Sequence, residues 1–312
     1  MSTWDLLGVD FVRNALWASL LLGVVSGAVA PLIVMRKMSF AAHATGELAL
    51  MGAAAALLLG VSVTAGAVAG AVLASVVLAL LGMREQDATT GVVLAFGMGL
   101  SVLFIYLYPG RTSEAYALLT GQIVGVSGAS LGTLAVVTVL VVTVVGVLWR
   151  PLLFATADPV LAAAAGVKVK LLAAVFAVII GVVASQGVQI VGALLLLALL
   201  ITPGAAAVKV TANPALAVVL SASFAVVSAA GGLVLSLGPG LPVSPFVTSI
   251  SFGIYLACRG IAAVRGRRVS RDASRDASRD NPENPDGDAP GDGAGSTEGV
   301  TAVPGDGDHH RH

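Results

Sequence analysis

Long apolar stretches separated by short polar or glycine-rich joints run from residue 15 to residue 264. The first, Ala15 to Met35, has about 20 residues. At ~1.5 Å per residue that is enough for a helix to cross a ~30 Å hydrocarbon core. Further apolar runs lie near 39–60, 62–82, 88–108, 129–149, 170–186, 188–208, 214–236 and 244–264. Together they predict an all-α, polytopic transmembrane helical bundle of 8–9 spans. The two counts differ because the joint between the sixth and seventh runs, at Gln186-Gly187, is slight. The run PGRTSEAYALLTGQIVGVSG, between 109 and 128, is too polar and too glycine-rich to face lipid. It reads as an outer loop with a re-entrant or surface helix, which is tolerable only under a cover of protein or water.

Ala28-Val29-Ala30 resembles a signal-peptidase site. However, the segment before it has Arg13 as its only positive charge, and the apolar run continues past it to Arg36-Lys37. That stop-transfer pattern predicts a retained first span.

Composition agrees with a membrane protein. The 312 residues are 57% hydrophobic and 11% charged, with a mean hydropathy of +0.96. A soluble domain carries about 25% charge. The zero net charge averages a slightly basic body (13 Lys plus Arg against 7 Asp plus Glu) and an acidic tail (4 against 10). It gives no sign of nucleic-acid binding. The predicted organisation is a transmembrane permease domain over 1–268 and a disordered cytoplasmic tail over 269–312. The tail repeats Ser-Arg-Asp-Ala and then turns to Pro, Gly and Asp, a composition that cannot bury enough apolar surface to offset chain entropy. It closes on His309-His310-Arg311-His312, which reads either as a weak metal-capturing end or as a solvated chain end. Cys258 stands alone, which excludes an intrachain disulfide and an all-cysteine metal site.

Nine spans starting from outside place Arg36, Lys37, Arg84, Arg150, Lys168, Lys170, Lys209, Arg265, Arg267 and Arg268 on the cytoplasmic side. Arg13 and Arg111 fall outside. This bias predicts an outer N-terminus and an inner tail. Gly23 and Gly27, and Gly66 and Gly70, are four apart. That spacing lets helix backbones approach closely, either within one bundle or between subunits.

Ionisable groups inside spans are costly and mark function by default. His43 is the one histidine before the tail, and Glu47 the one carboxylate well inside a span. Four residues apart, they share a helical face. With the span starting near Met38, Glu47 lies about 13 Å deep, near the midplane. An imidazole and a carboxylate on one face make half of a zinc-type site. Two copies meeting at a symmetry axis would supply four ligands. The alternative is a buried His43–Glu47 ion pair that holds helices together. Gln186, and the Thr202-Pro203 step that would open or kink the end of the seventh span, are candidates for the pathway or a hinge. Each could equally serve packing or satisfy backbone groups.

Between the fifth and sixth spans, Asp158 suits a helix cap, Pro159 a first turn and Gly166 a helix end. They predict a short cytoplasmic helix from Pro159 to Ala165, either a docking knob for a partner or a simple connector. There is no phosphate-binding loop, nucleophile elbow or zinc-protease motif. Any ATP-driven function therefore needs a separate ATPase chain.

Several stretches in order resemble the membrane permease subunit of bacterial zinc and manganese ABC importers. VMRKMSFAAHATGELALMGAAAALLLG resembles that family's junction of first and second spans, and MREQDATTGVVLAFGMGL the start of its fourth. ALLTGQIVGVS is similar to its loop before the fifth. ATADPVLAAAAGVKVKLL is similar to the cytoplasmic segment that docks on the ATPase, and QGVQIVGALLLLALLITPGAAA to a long apolar stretch ending in Thr-Pro. The likeness covers about residues 11 to 264. It implies a homodimer in the bacterial plasma membrane, in contact with membrane lipid, bound to two ATP-binding cassette ATPase subunits and supplied by an extracytoplasmic metal-binding protein. It implies transported zinc, or manganese as second choice, with no permanently bound cofactor and no catalysis by this chain. In the family an Asp and a His, four apart on the second span, line the path; the matching positions here hold His43 and Glu47. The ATPase-docking residues implied are Asp158, Pro159, Ala165 and Gly166. The competing readings are a stand-alone proton-coupled secondary transporter using Glu47 and a non-transporting membrane scaffold.

Overall fold

A computed structural model describes residues 10–80, 86–111, 117–119, 121, 125–238 and 241–279. Twelve helices make up the ordered elements of these residues: α1 (Asp10–Met35), α2 (Ser39–Leu58), α3 (Val63–Leu80), α4 (Gln86–Leu107), α5 (Gly128–Val147), α6 (Trp149–Ala157), α7 (Pro159–Ala164), α8 (Val169–Val191), α9 (Ala193–Leu200), α10 (Thr202–Val210), α11 (Pro214–Leu237) and α12 (Val243–Arg279). No strand occurs among the described residues. The helix starts follow local chemistry. Ser127 accepts from the Ser130 amide at 3.2 Å, and Asn213 accepts from Ala215 at 3.0 Å ahead of Pro214 at the first turn. Such caps satisfy amides that have no partner inside the helix.

Seven helical segments are long and apolar enough to cross a membrane, and two more, Val63–Leu78 and Leu195–Val210, are shorter. The expected third and seventh spans are therefore the short ones. The seventh departs most from expectation. Instead of breaking at Gln186-Gly187, α8 runs on to Val191, and the chain turns at Gly192 with φ +81°. The remainder divides at Ile201 into α9 and α10, with Pro203 in the first turn of α10. The division thus falls at Ile201, one residue before Thr202-Pro203. A glycine at positive φ ends a helix without the Cβ clash that other residues meet, whereas Gln186-Gly187 carries no such backbone feature.

The glycine pairs pack helices within the chain. A Cβ on Gly23 or Gly27 would meet the α11 backbone at Val226 or Ala222, and one on Gly66 or Gly70 would strike the α2 carbonyls of Gly52 or Leu48. Gly204 lies as closely on Ala30. α1, α2 and α8 are the most enclosed spans, while α4, α5 and α12 turn apolar faces outward. Val92 is 71% and Val139 65% exposed. Patches of that kind suit hydrocarbon rather than water.

Two compact units divide at Gly266 and Arg267. The start of the tail departs from the expected disorder, because α12 continues to Arg279. The rest of the tail, including His309, His310 and His312, lies outside the described residues.

Candidate metal pathway and docking segment

α2 carries both candidate ligands. It begins after a turn in which Met38 donates to the Ile33 carbonyl at 2.9 Å and Lys37 adopts φ 57°. His43 is half-buried and Glu47 is 8% exposed. The backbone around Glu47 is held by α4: Ser101 Oγ donates to the Glu47 carbonyl at 3.5 Å, and Gly97 packs against Leu48. Among the described residues the ion pair formed is Arg13–Asp10, at the exposed start of α1; His43 and Glu47 are not joined in one. Nor do three or more His, Cys, Asp or Glu residues gather among the described residues. One chain thus offers one imidazole and one carboxylate on a shared face, fewer donors than a closed divalent-metal site needs.

Where α2 ends and α3 begins, a cavity of about 520 Å³ opens, lined by Thr64, Ser130, Thr133, Gln186, Gln189 and apolar neighbours. Thr64 donates to Gln189 Oε1 at 2.7 Å, and Gln189 Nε2 donates to the Ser185 carbonyl at 3.0 Å. Gln186, 6% exposed, faces the cavity from the continuous part of α8. The sequence predicts a helix break at this residue; Gln186 is instead a polar side chain in the wall of a cavity. The described part of the 109–128 loop packs here too. Leu118 is buried in the main core, and a Cβ on Gly121 would strike the Val191 backbone. Protein therefore covers Leu118 and Val126, whereas Gly110, Arg111 and Ser127 are exposed. Thr202 and Pro203 lie apart from the cavity lining, at the joint between α9 and α10.

The segment from Asp158 to Gly166 matches its expected geometry. Asp158 Oδ1 accepts from the Val160 and Leu161 amides at 2.9 Å each, and Pro159 occupies the first turn. Ala165 is the C-cap, and Gly166 turns the chain at φ +86°. Ala162 is buried and anchors α7, whereas Val160 and Leu161 project outward. An exposed apolar pair on a capped, rigid helix is a surface suited to a protein partner.

Arg36 was visible in the sequence only as a topological charge. Its Nε donates to Thr156 Oγ1 at 2.8 Å and an Nη donates to the Leu152 carbonyl at 3.4 Å, both on α6. Its guanidinium lies 4.9 Å from the Phe176 ring centroid on α8. Partial burial pushes its pKa down from the ordinary arginine value. No spacing rule pairs residue 36 with residues 152, 156 and 176; only the fold brings them together.

Residues 8–260 match the ABC 3 transport family. The chain is 28% identical over 236 residues to the manganese transport system membrane protein MntC of Halalkalibacterium halodurans, over 75% of this chain and 81% of that protein. It is 32% identical over 204 residues to the manganese import system permease protein ScaB of Streptococcus pneumoniae, over 63% of this chain and 71% of that protein. Among solved structures it is similar to PsaBC from Streptococcus pneumoniae in complex with Fab, with a TM-score of 0.76 and 23% identity over 82% of this chain and 94% of that one. That last likeness is one of fold.

Proposed function

The chain belongs to the ABC 3 transport family, and from that premise we propose that it is the permease subunit of an ATP-driven importer of a divalent transition metal. It performs no bond chemistry; ATP hydrolysis falls to a separate ATPase chain. The observation that carries the reading is Glu47: a carboxylate buried in an apolar helix, one turn from His43, with no ion pair to it among the described residues. A passing cation supplies the missing charge. An incomplete site also releases what it binds, as conduction demands. Two copies of the chain would present two imidazoles and two carboxylates to one ion, which supports a homodimer with the path between or beside its α2 helices.

Relatives named for manganese transport or import favour manganese as cargo. The retained imidazole keeps zinc as the competing ion, since nitrogen donors suit zinc and carboxylates lean to manganese. The polar cavity at the far end of α2 serves as the outer mouth, where an extracytoplasmic binding protein delivers the ion. The α7 segment docks the ATPase on the cytoplasmic side. Family membership weighs against the stand-alone secondary transporter.

The test is uptake of labelled manganese into cells or vesicles carrying this chain, with and without a hydrolysis-competent ATPase, and with zinc as competitor. ATPase-dependent uptake is expected. Metal uptake that persists without any ATPase would overturn the reading, and preferential uptake of zinc would reassign the cargo.

A further inference from the structure

We propose that Arg36 is a positioning residue that ties the α7 docking segment to the foot of the helix bearing His43 and Glu47. The inference rests on the reading of the chain as an ATP-driven permease. Arg36 sits in the tight turn between α1 and α2, three residues before Ser39 starts α2. From there it grips both elements that flank α7: α6 before it, through Thr156 and the Leu152 carbonyl, and α8 after it, through the face of Phe176. Thr156 is itself held, donating to Leu152 O at 2.6 Å while it accepts from Arg36. α6 leads into Asp158, the cap of α7, so a push on α7 is passed along α6 with no flexible joint other than the cap itself.

The turn is an unyielding place to pull. Lys37 holds a left-handed backbone conformation at φ 57°, and the Met38 and Lys37 amides close it onto Ile33 and Val34. A displacement of α6 therefore moves the start of α2 as a body, and His43 and Glu47 lie within the next three turns of the same helix. The planar guanidinium matters because it donates in two directions while stacking on an aromatic face. A lysine ammonium cannot reproduce that combination.

The experiment reconstitutes the whole transporter, this chain with its ATPase and metal-binding partner, in liposomes. ATP hydrolysed and manganese taken up are measured in the same vesicles for the unaltered chain, Arg36→Lys and Thr156→Val. For Arg36→Lys, manganese moved per ATP is expected to fall about tenfold, with a smaller fall for Thr156→Val, because charge-assisted contacts are lost in part or singly. Basal ATP hydrolysis is expected to stay within about twofold. An unchanged ion-to-ATP ratio in both variants overturns the proposal. Should Arg36→Lys lower the amount of assembled complex, the ratio is read on the surviving complex: an unchanged ratio marks a merely structural tie and overturns the proposal, and a lowered one supports it. If the unaltered chain shows no ATP-dependent uptake of manganese or zinc, the permease reading fails, and it fails separately from the positioning role of Arg36.

Discussion

Glu47 and His43 stand one helical turn apart on α2, and their shared face was legible from spacing alone. What spacing could not tell was whether they neutralise each other, because that depends on rotamers and on what the neighbouring helices offer. They form no ion pair, and the proposed ligand role and a structural role predict different outcomes. His43→Ala and Glu47→Ala should each abolish metal uptake while leaving assembly with the ATPase intact. His43→Asp should retain some transport and move preference toward manganese, as oxygen replaces nitrogen. Uptake per folded transporter is the measurement that decides. A structural pair would instead lower folded abundance in both alanine variants, and a double apolar replacement would restore it. Normal uptake by that double variant would place the site elsewhere.

At the scale of elements, glycine does two different jobs. Gly70 lets α3 lie on the Leu48 carbonyl of α2, next to Glu47. Gly70→Val has no room to relax against backbone and should destabilise the purified protein by about 1–3 kcal/mol, seen as a lower midpoint of thermal unfolding. An unchanged midpoint would mean that the α2–α3 contact is looser than described. Gly166 meets open space, but its φ of +86° is one that other residues rarely adopt. Gly166→Val should therefore cost about 1–3 kcal/mol locally at the end of α7 and abolish ATP-driven uptake with the spans still folded. Normal transport at normal abundance would remove the docking role from this segment. The cap, first-turn proline and terminal glycine of α7 could all be read from residue types. The extra break at Gly192 could not, because a glycine inside an apolar run does not reveal whether its backbone takes a positive φ, as Gly192 does beside Gly121.

For the molecule as a whole, the Lys and Arg bias predicts an outer N-terminus and an inner C-terminus. Site-specific labelling of a cysteine introduced near the N-terminus and of one introduced in the tail checks this in intact cells. Reaction of the tail site with an impermeant reagent would reverse the topology and take α7 away from any cytoplasmic ATPase. The sequence beyond Arg279 is rich in Asp, Gly and Pro and poor in apolar side chains, a composition from which dispensability for transport is expected. Deleting 280–312 should leave uptake at saturating metal within about twofold of normal. A larger loss at unchanged membrane abundance would give the tail a function.

From residue types and their order alone follow the helical, membrane-spanning character of the chain, the approximate bounds of most helices, the shared face of His43 and Glu47 on α2, and the capping of α7. Each of these follows from interactions over a few residues or from average apolarity along a run, so neighbours in sequence carry the information. The packed fold was needed to show that the glycine pairs bring helices of one chain together, that Gln186 lines a cavity instead of marking a break, and that Arg36 joins α6 and α8 to the foot of α2. The segments that meet at those places are remote in sequence. In a run of nearly uniform Ala, Val, Leu and Gly, hydropathy barely distinguishes a face that meets protein from one that meets lipid. Backbone approach and the reach of a single arginine resolve that difference, and both exist only once the helices are packed.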